Sequence, residues 1–299
     1  MEVFSVKVGN WVQKGNCWKA EPATSNLVFM TGMQEHSERY DHLARYLNDF
    51  GISVYVLDAV GQGLNAPRPE DQQKWFKGAF DTNVSAAHQK VMELKEETKL
   101  PTFIMGHSMG SFMTQRYLEL FPDSADKVVI WSSNGPRRMK MACAYMLASI
   151  LTNKRNWDKP SKFISNASFG PYARTVKNRK TDVDWLSYDE ENVKDYIADP
   201  YCGAENTHGF WKEFLRGMNE LYKKKNLKKV SKNEKILIVA GEEDPVGEMG
   251  KGPRRLKEMY EKLGVSNVTI FMFPHMRHEI HNETEKHLVY KVLSDFLID

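Results

Sequence analysis

The chain is poor in cysteine: Cys17, Cys143 and Cys202 are far apart and odd in number. They form neither a disulfide framework nor a CxxC metal pair, which fits a reducing compartment. Charge of one sign is not in excess either. Lys+Arg total 42 and Asp+Glu 39, a net of +3. So small a field argues against a dedicated nucleic-acid binder. A long hydrophobic run is missing too. The most apolar stretch, Met139 to Leu151, contains Lys140 and is too short to span a bilayer as a helix. The N-terminal MEVFSVKVGNW shows no basic region followed by an apolar run and a small-residue cleavage site. The expected location is therefore cytoplasmic. At 299 residues, 41% hydrophobic and 27% charged, the composition is that of an ordinary globular chain. The length suffices for one large α/β domain with a substantial insertion.

What is present is a rhythm. The first twenty residues alternate apolar and polar positions around Gly9-Asn10 and Gly15-Asn16, as short antiparallel strands joined by turns would. Apolar runs then recur at Leu27–Met30, Ile52–Leu57, Thr102–Met105, Lys127–Trp131, Lys235–Ala240 and Val268–Phe273. Between and after them lie amphipathic helical patterns at Glu38–Phe50, Thr82–Lys99, Gly110–Phe121, Pro253–Leu263 and Glu283–Leu297. Short buried strands alternating with helices imply a mostly parallel sheet covered on both faces, joined by right-handed crossovers.

The alternation breaks between Arg137 and Val230. This segment holds an apolar helix candidate at Met139–Leu151 and a second at Gly209–Lys224. Loop signals stand at Asp158-Lys159-Pro160, Gly170-Pro171 and Asp199-Pro200. It is too long for an unstructured connection. The expected division is a core of residues 1–136 and 231–299, with residues 137–230 inserted over one edge of the sheet.

Gly106-His107-Ser108-Met109-Gly110 matches G-x-S-x-G and falls between a strand and a helix, where a nucleophile elbow belongs. The bland alternative is a strand-turn-helix with a capping serine. A serine hydroxyl needs a base, and the base needs an orienting acid. With the elbow, these follow in the order acid, then histidine. Asp244 lies just past the strand Lys235–Ala240 and precedes Pro245, which holds it in a turn. Glu242 and Glu243 are its rivals. After the last strand stand His275, His278, His281 and His287. His275 comes too early and His287 falls within the final helix, so His278 is the expected base, with His281 its main rival. A tetrahedral intermediate needs two backbone donors. The N–H of Met109, after the nucleophile, is one. The N–H of Met33, in the loop after the first buried strand, is the other.

Glu35-His36-Ser37-Glu38-Arg39-Tyr40, the elbow and Arg277-His278-Glu279 together resemble the monoacylglycerol lipase and lysophospholipase group of α/β-hydrolases, which overlaps the family labelled serine aminopeptidase S33. The family's run is HGxGEHSxRY, and its EHSxRY part is intact at residues 35–40. Thr31 replaces the family histidine before Gly32, Gln34 replaces a glycine, and Gly61-Gln62-Gly63-Leu64-Asn65 stands where the family has GHGxS. The resemblance implies an α/β-hydrolase fold, the triad Ser108, Asp244 and His278, and Met33 and Met109 as oxyanion donors. It implies no metal and no organic cofactor. Glu35, His36 and Arg39 are expected to tie loops together.

In that group the insertion is a cap. Here it carries Met139, Met141, Tyr145, Met146, Phe163, Phe169, Tyr172, Trp185, Phe210, Trp211 and Phe214. Most of these must form the cap's own core. The rest would line a pocket for one fatty acyl chain. Residues 137–230 hold 19 Lys+Arg and 11 Asp+Glu, the remainder 23 and 28. The small net charge therefore averages a basic cap and an acidic body. The Lys223–Lys229 run reads as a solvated helix end, or as a contact with an anionic membrane surface. The expected protein is a serine ester hydrolase acting on a monoacyl lipid, lysophospholipid or monoacylglycerol. An aminopeptidase or amidase of the same fold is one alternative, and a ligand-binding protein on a hydrolase scaffold is another.

Overall fold

The computed structural model describes residues 1–299. Gly9-Asn10 reverses the chain between β1 (Glu2–Val8) and β2 (Trp11–Trp18), which pair antiparallel. The second expected turn, Gly15-Asn16, is instead interior to β2, where Gly15 pairs with Leu57 and Asn16 with Val56. Pairing on both sides there overrides the local turn signal.

The alternation then runs through β3 (Ser25–Met30), α1 (Asp41–Asn48), β4 (Ile52–Leu57), α2 (Ala79–Thr98), β5 (Thr102–His107), α3 (Met109–Leu120) and β6 (Val128–Trp131). Between β6 and the next strand come α4 (Arg138–Leu151), α5 (Lys162–Ala173), α6 (Glu190–Ala198), α7 (His208–Glu220) and α8 (Lys224–Leu227). The chain closes with β7 (Lys235–Gly241), α9 (Lys251–Lys262), β8 (Asn267–Phe273) and α10 (Lys286–Ile298). The eight strands form one sheet in the order β1-β2-β4-β3-β5-β6-β7-β8, parallel from β4 to β8.

Every residue of β3, β4 and β5 is buried, because helices cover both faces. Successive side chains go to opposite layers. Val28, Ile104, Val128 and Ile236 pack with Val84, Val91, Met113 and Tyr117 of α2 and α3. Leu27, Phe29, Met105, Val129 and Leu237 pack with Leu43 and Leu47 of α1 and Leu293 of α10. This two-period split explains why a slip of one residue would empty both cores at once.

Two details of the insertion differ from expectation. Helix α5 runs through Gly170-Pro171 rather than ending there. Pro171 falls in its last turn, so the hydrogen bond it removes leaves only two helical residues beyond the break. The insertion also does not ride on a sheet edge. Side chains of α4, α5 and α7 stand with Ser108 around one cavity, over the carboxyl end of the central strand β5. No helix is long and apolar enough to cross a membrane.

Candidate active site

The elbow is built from two close approaches. A Cβ on Gly106 would lie 2.2 Å from the Gly110 carbonyl oxygen, and one on Gly110 would lie 2.1 Å from that of Met30. Only glycine lets β5 turn this sharply into α3. The turn forces Ser108 to φ 52°, ψ −114°, a conformation a serine adopts only when its surroundings impose it. The Ser108 N–H donates to the Trp131 carbonyl at 3.0 Å, which locks the elbow to β6.

Ser108 Oγ lies 2.8 Å from His278 Nε2, and His278 Nδ1 lies 3.0 Å from Asp244 Oδ2. Asp244 is fully buried, and its second oxygen accepts the Val246 N–H at 2.8 Å. The loop carrying His278 is pinned by Ser132 Oγ, which donates to the His278 carbonyl at 2.7 Å. Burial alone would lower the His278 pKa. The Asp244 charge and hydrogen bond outweigh it and raise it above the ordinary value. Glu242 and Glu243 face other partners, Arg254 and Tyr188. His281 is buried and stacked on Tyr40, with neither ring nitrogen hydrogen-bonded. Burial drives its pKa down to about 3, so the ring stays neutral. His275 is on the surface.

Met109 is the first residue of α3, so its N–H has no intrahelical acceptor. The Met33 loop is held from below. Glu35 Oε1 accepts the Gly32 N–H at 2.5 Å, the Tyr40 hydroxyl at 2.5 Å and His107 Nδ1 at 3.0 Å. Gln62 Nε2 donates to the carbonyls of Gly32 and Glu35, while its Oε1 accepts the Gln34 N–H at 2.9 Å. Gln62, one of the departures from the family pattern, is thus a clamp on this loop.

Arg39 Nη1 reaches Glu35 Oε2 at 3.1 Å and grips Glu279 with two bonds, of 2.6 and 2.8 Å. Burial would raise the Glu35 pKa, but His107 and Arg39 lower it to about 2; Glu279 is likewise held well below the carboxylate range by Arg39. Glu279 belongs to the Arg277-His278-Glu279 run, but nothing local in that run points to Arg39. Its partner is 240 positions away. His36 Nε2 lies 2.7 Å from Asp199 Oδ2. Glu35, His107 and His281 bring potential metal-ligand atoms within 4.8 Å of one another. Glu35 Oε1 is, however, already committed to three donors.

Above the serine is a cavity of about 330 Å³, a volume in the range that takes small organic ligands. The expected apolar set divides. Met141, Phe163, Phe169, Tyr172, Trp185, Trp211 and Phe214 line the cavity. Phe210 is wholly buried against Trp75, and Met139 and Met146 face outwards. The polar side of the wall holds Asn134, Arg137, Lys140 and Glu248. The Lys223–Lys229 run takes no part in it. Lys223 pairs with Glu220 at 2.6 Å, and Asn226 is buried.

The strand order, the antiparallel β2 and the serine elbow define an α/β-hydrolase. More narrowly, residues 21–285 match the model of the family described as serine aminopeptidase, S33, and the chain belongs to that family, within its monoacylglycerol lipase group. It is 23% identical over 274 residues to a monoacylglycerol lipase of Mycolicibacterium smegmatis, covering 91% of this chain and 87% of that one. It is 28% identical over 176 residues to the monoglyceride lipase of Homo sapiens, covering 58% and 54%. Among solved structures it is similar to a thermostable carboxyl esterase from Bacillus coagulans, with a TM-score of 0.89, 23% identity and 99% and 97% of the chains covered. A likeness at that identity speaks to the fold alone.

Proposed function

We propose that the protein is a serine carboxylic-ester hydrolase of monoacyl lipids, with residues 137–230 as a cap that shapes its substrate pocket. The carrying observation is the unbroken hydrogen-bond chain Ser108–His278–Asp244 at the floor of a largely apolar cavity. In this reading His278 takes the Ser108 proton as Oγ attacks the ester carbonyl. Asp244 holds the ring and stabilises the imidazolium. The Met33 and Met109 N–H groups receive the oxyanion, and the positive end of α3 adds to them. His278 then protonates the leaving alcohol, and water hydrolyses the acyl-enzyme.

The amidase reading needs a free carboxylate for a substrate amine. The three acids in the cavity wall are Glu35, Glu248 and Glu279, and all are engaged by arginines. A fluorophosphonate probe should label the wild type and not Ser108→Ala. Ester hydrolysis should favour acyl chains of about eight carbons or more over acetyl, as apolar burial grows with each CH₂. An unlabelled wild type, or a preference for acetyl, would sink the proposal.

Contact with an anionic lipid surface is better supported at α4 and α5 than at Lys223–Lys229. Residues 137–180 carry 11 Lys+Arg and one Asp+Glu, Asp158. Met139, Met146 and Ile150 form a stripe on α4, 84%, 60% and 73% exposed, and Phe163 at the start of α5 is 65% exposed. Sedimentation with vesicles should show binding to anionic lipid that salt reverses. Equal binding to neutral vesicles would reject the electrostatic part.

A further inference from the structure

The insertion meets the oxyanion loop at a cluster of three unlike donors. His36 Nε2 lies 2.7 Å from Asp199 Oδ2, and one donor atom from each of His36, Asp199 and Cys202 lies within 4.8 Å of the other two. Asp199 and Cys202 come from a single turn, closed by the Cys202 N–H donating to the Asp199 carbonyl at 3.1 Å. His36 enters from 163 positions earlier in the chain. The backbone under the cluster is braced. Asp199 Oδ1 accepts the Tyr201 N–H at 2.8 Å, and the Gly203 N–H donates to the Gln34 carbonyl at 3.0 Å.

A His36–Asp199 bond alone would tie the two segments, and a buried cysteine often serves only as packing. Two further observations join the three residues. The charges acting on Cys202 are those of Arg39, Asp199, Glu35 and Glu279, one cation against three carboxylates. Arg39 is already shared by Glu35 and Glu279, so the surroundings favour an added cation. The donor set is also selective. Thiolate sulfur, imidazole nitrogen and carboxylate oxygen are all zinc ligands, whereas magnesium and calcium take oxygen. Tetrahedral zinc with bonds of about 2.0–2.3 Å holds its ligand atoms about 3.3–3.6 Å apart, which side-chain shifts of about 1 Å would reach here. The His36 and Asp199 side chains are 14% and 27% exposed, so an ion has a way in and a water can take the fourth position.

We propose that His36, Asp199 and Cys202 form a zinc site that clasps the second half of the insertion to the oxyanion loop. On binding, the Cys202 thiol gives its proton to water and its sulfur bonds the ion, with Asp199 Oδ2, His36 Nε2 and a water as the other ligands. None of the three lines the cavity above Ser108. The ion braces the segment that follows Met33 and takes no part in ester cleavage.

The test uses the full chain with Cys143→Ser, which removes the exposed thiol, and cobalt as a spectroscopic stand-in for zinc. Titration should give one Co2+ per chain, with the visible bands of tetrahedral cobalt and a near-ultraviolet sulfur-to-cobalt band, both removed by added Zn2+. Cys202→Ser should lose the sulfur band. Cys202→Ser, Asp199→Asn and His36→Gln should each weaken zinc binding about tenfold or more, since losing a ligand costs no less than losing the group that orients one. Zinc should raise the melting temperature of the parent chain increasingly with its free concentration, and that of Cys202→Ser far less. Melting curves without metal check that each variant folds, and the parent's cobalt spectrum stands independently of them. Cobalt bands with no sulfur contribution, or a zinc affinity unmoved by Cys202→Ser, place the ion elsewhere, as on His278 and Asp244, and overturn the site. Absence of cobalt and zinc binding at millimolar concentration overturns it as well.

Discussion

Glu35 touches no reacting atom in the proposed mechanism, yet removing its charge should impair both folding and rate by separable amounts. Its Oε1 receives three donors and its Oε2 receives Arg39. In Glu35→Gln the amide oxygen can take over the three-donor position. The NH₂ group must then face Arg39 Nη1, donor against donor, where a carboxylate oxygen stood at 3.1 Å. Arg39 keeps its two bonds to Glu279, so it is not stranded. The loss is one charge-assisted bond in a buried setting, about 2–3 kcal/mol. Glu35→Ala removes all four acceptor contacts and leaves a void beside a buried arginine, and should cost about 3–5 kcal/mol. The rate should separate the two more sharply. Glu35→Gln still holds the Gly32 N–H, and so the Met33 loop, and should lose about tenfold in kcat. Glu35→Ala frees the loop and should lose about 10²–10³-fold, the worth of one oxyanion donor. Fluorophosphonate labelling should persist in both, because Ser108, His278 and Asp244 are untouched. Chemical denaturation and steady-state ester hydrolysis, measured on the same preparations, give the two numbers. A folded Glu35→Ala with wild-type kcat would refute the argument that this carboxylate sets the oxyanion loop.

Three further expectations follow from the same geometry. The base acts unprotonated and its pKa is raised above the ordinary 6.5, so kcat/KM should fall with acid along a limb centred above pH 6.5; a limb centred below it would contradict the Asp244 pairing. His281 has its pKa lowered to about 3, so its contribution to stability is whole above pH 6.5 and lost as pH falls towards 3, at up to about 1.4 kcal/mol per pH unit. Denaturation midpoints between pH 7 and 4 should show that slope, and His281→Phe should flatten it. Ser108 sits at φ 52°, so Ser108→Gly should be more stable than Ser108→Ala by about 1 kcal/mol, by relief of backbone strain; equal melting curves would argue that the elbow is unstrained.

Much of this molecule can be read from local pattern. The strands β3 to β8 announce themselves as apolar runs because they are covered on both faces, and the elbow is local by necessity, its two glycines answering clashes within a few residues. The elbow motif marks Ser108, the end of β7 marks Asp244, the loop before the final helix offers His278, and the structure brings them into one hydrogen-bonded chain. What resisted reading is non-local. Nothing near Glu279 in the sequence points to Arg39. Gln62 reads as a departure from a motif, and its three bonds to the Met33 loop join segments about 30 positions apart. Helix α5 hid behind Gly170-Pro171 because packing of Phe169 and Tyr172 on Trp185 outweighs the breaker signal. Tyr172 and Arg137 meet at the cavity only once the insertion is folded over the sheet.

The insertion is also attached unevenly. Its second half is stitched to the oxyanion region: Asn192 to Arg39 and Glu279, Asp199 to His36, the Gly203 N–H to the Gln34 carbonyl, and Leu186 to the Glu279 N–H. Helices α4 and α5 have no comparable ties there and supply much of the apolar lining of the cavity. Mutational drift should therefore be partitioned. Changes at residues 184–204 would propagate into the chemistry, whereas residues 138–173 form a replaceable module through which lineage divergence or a combinatorial library could alter substrate choice with the catalytic engine left running.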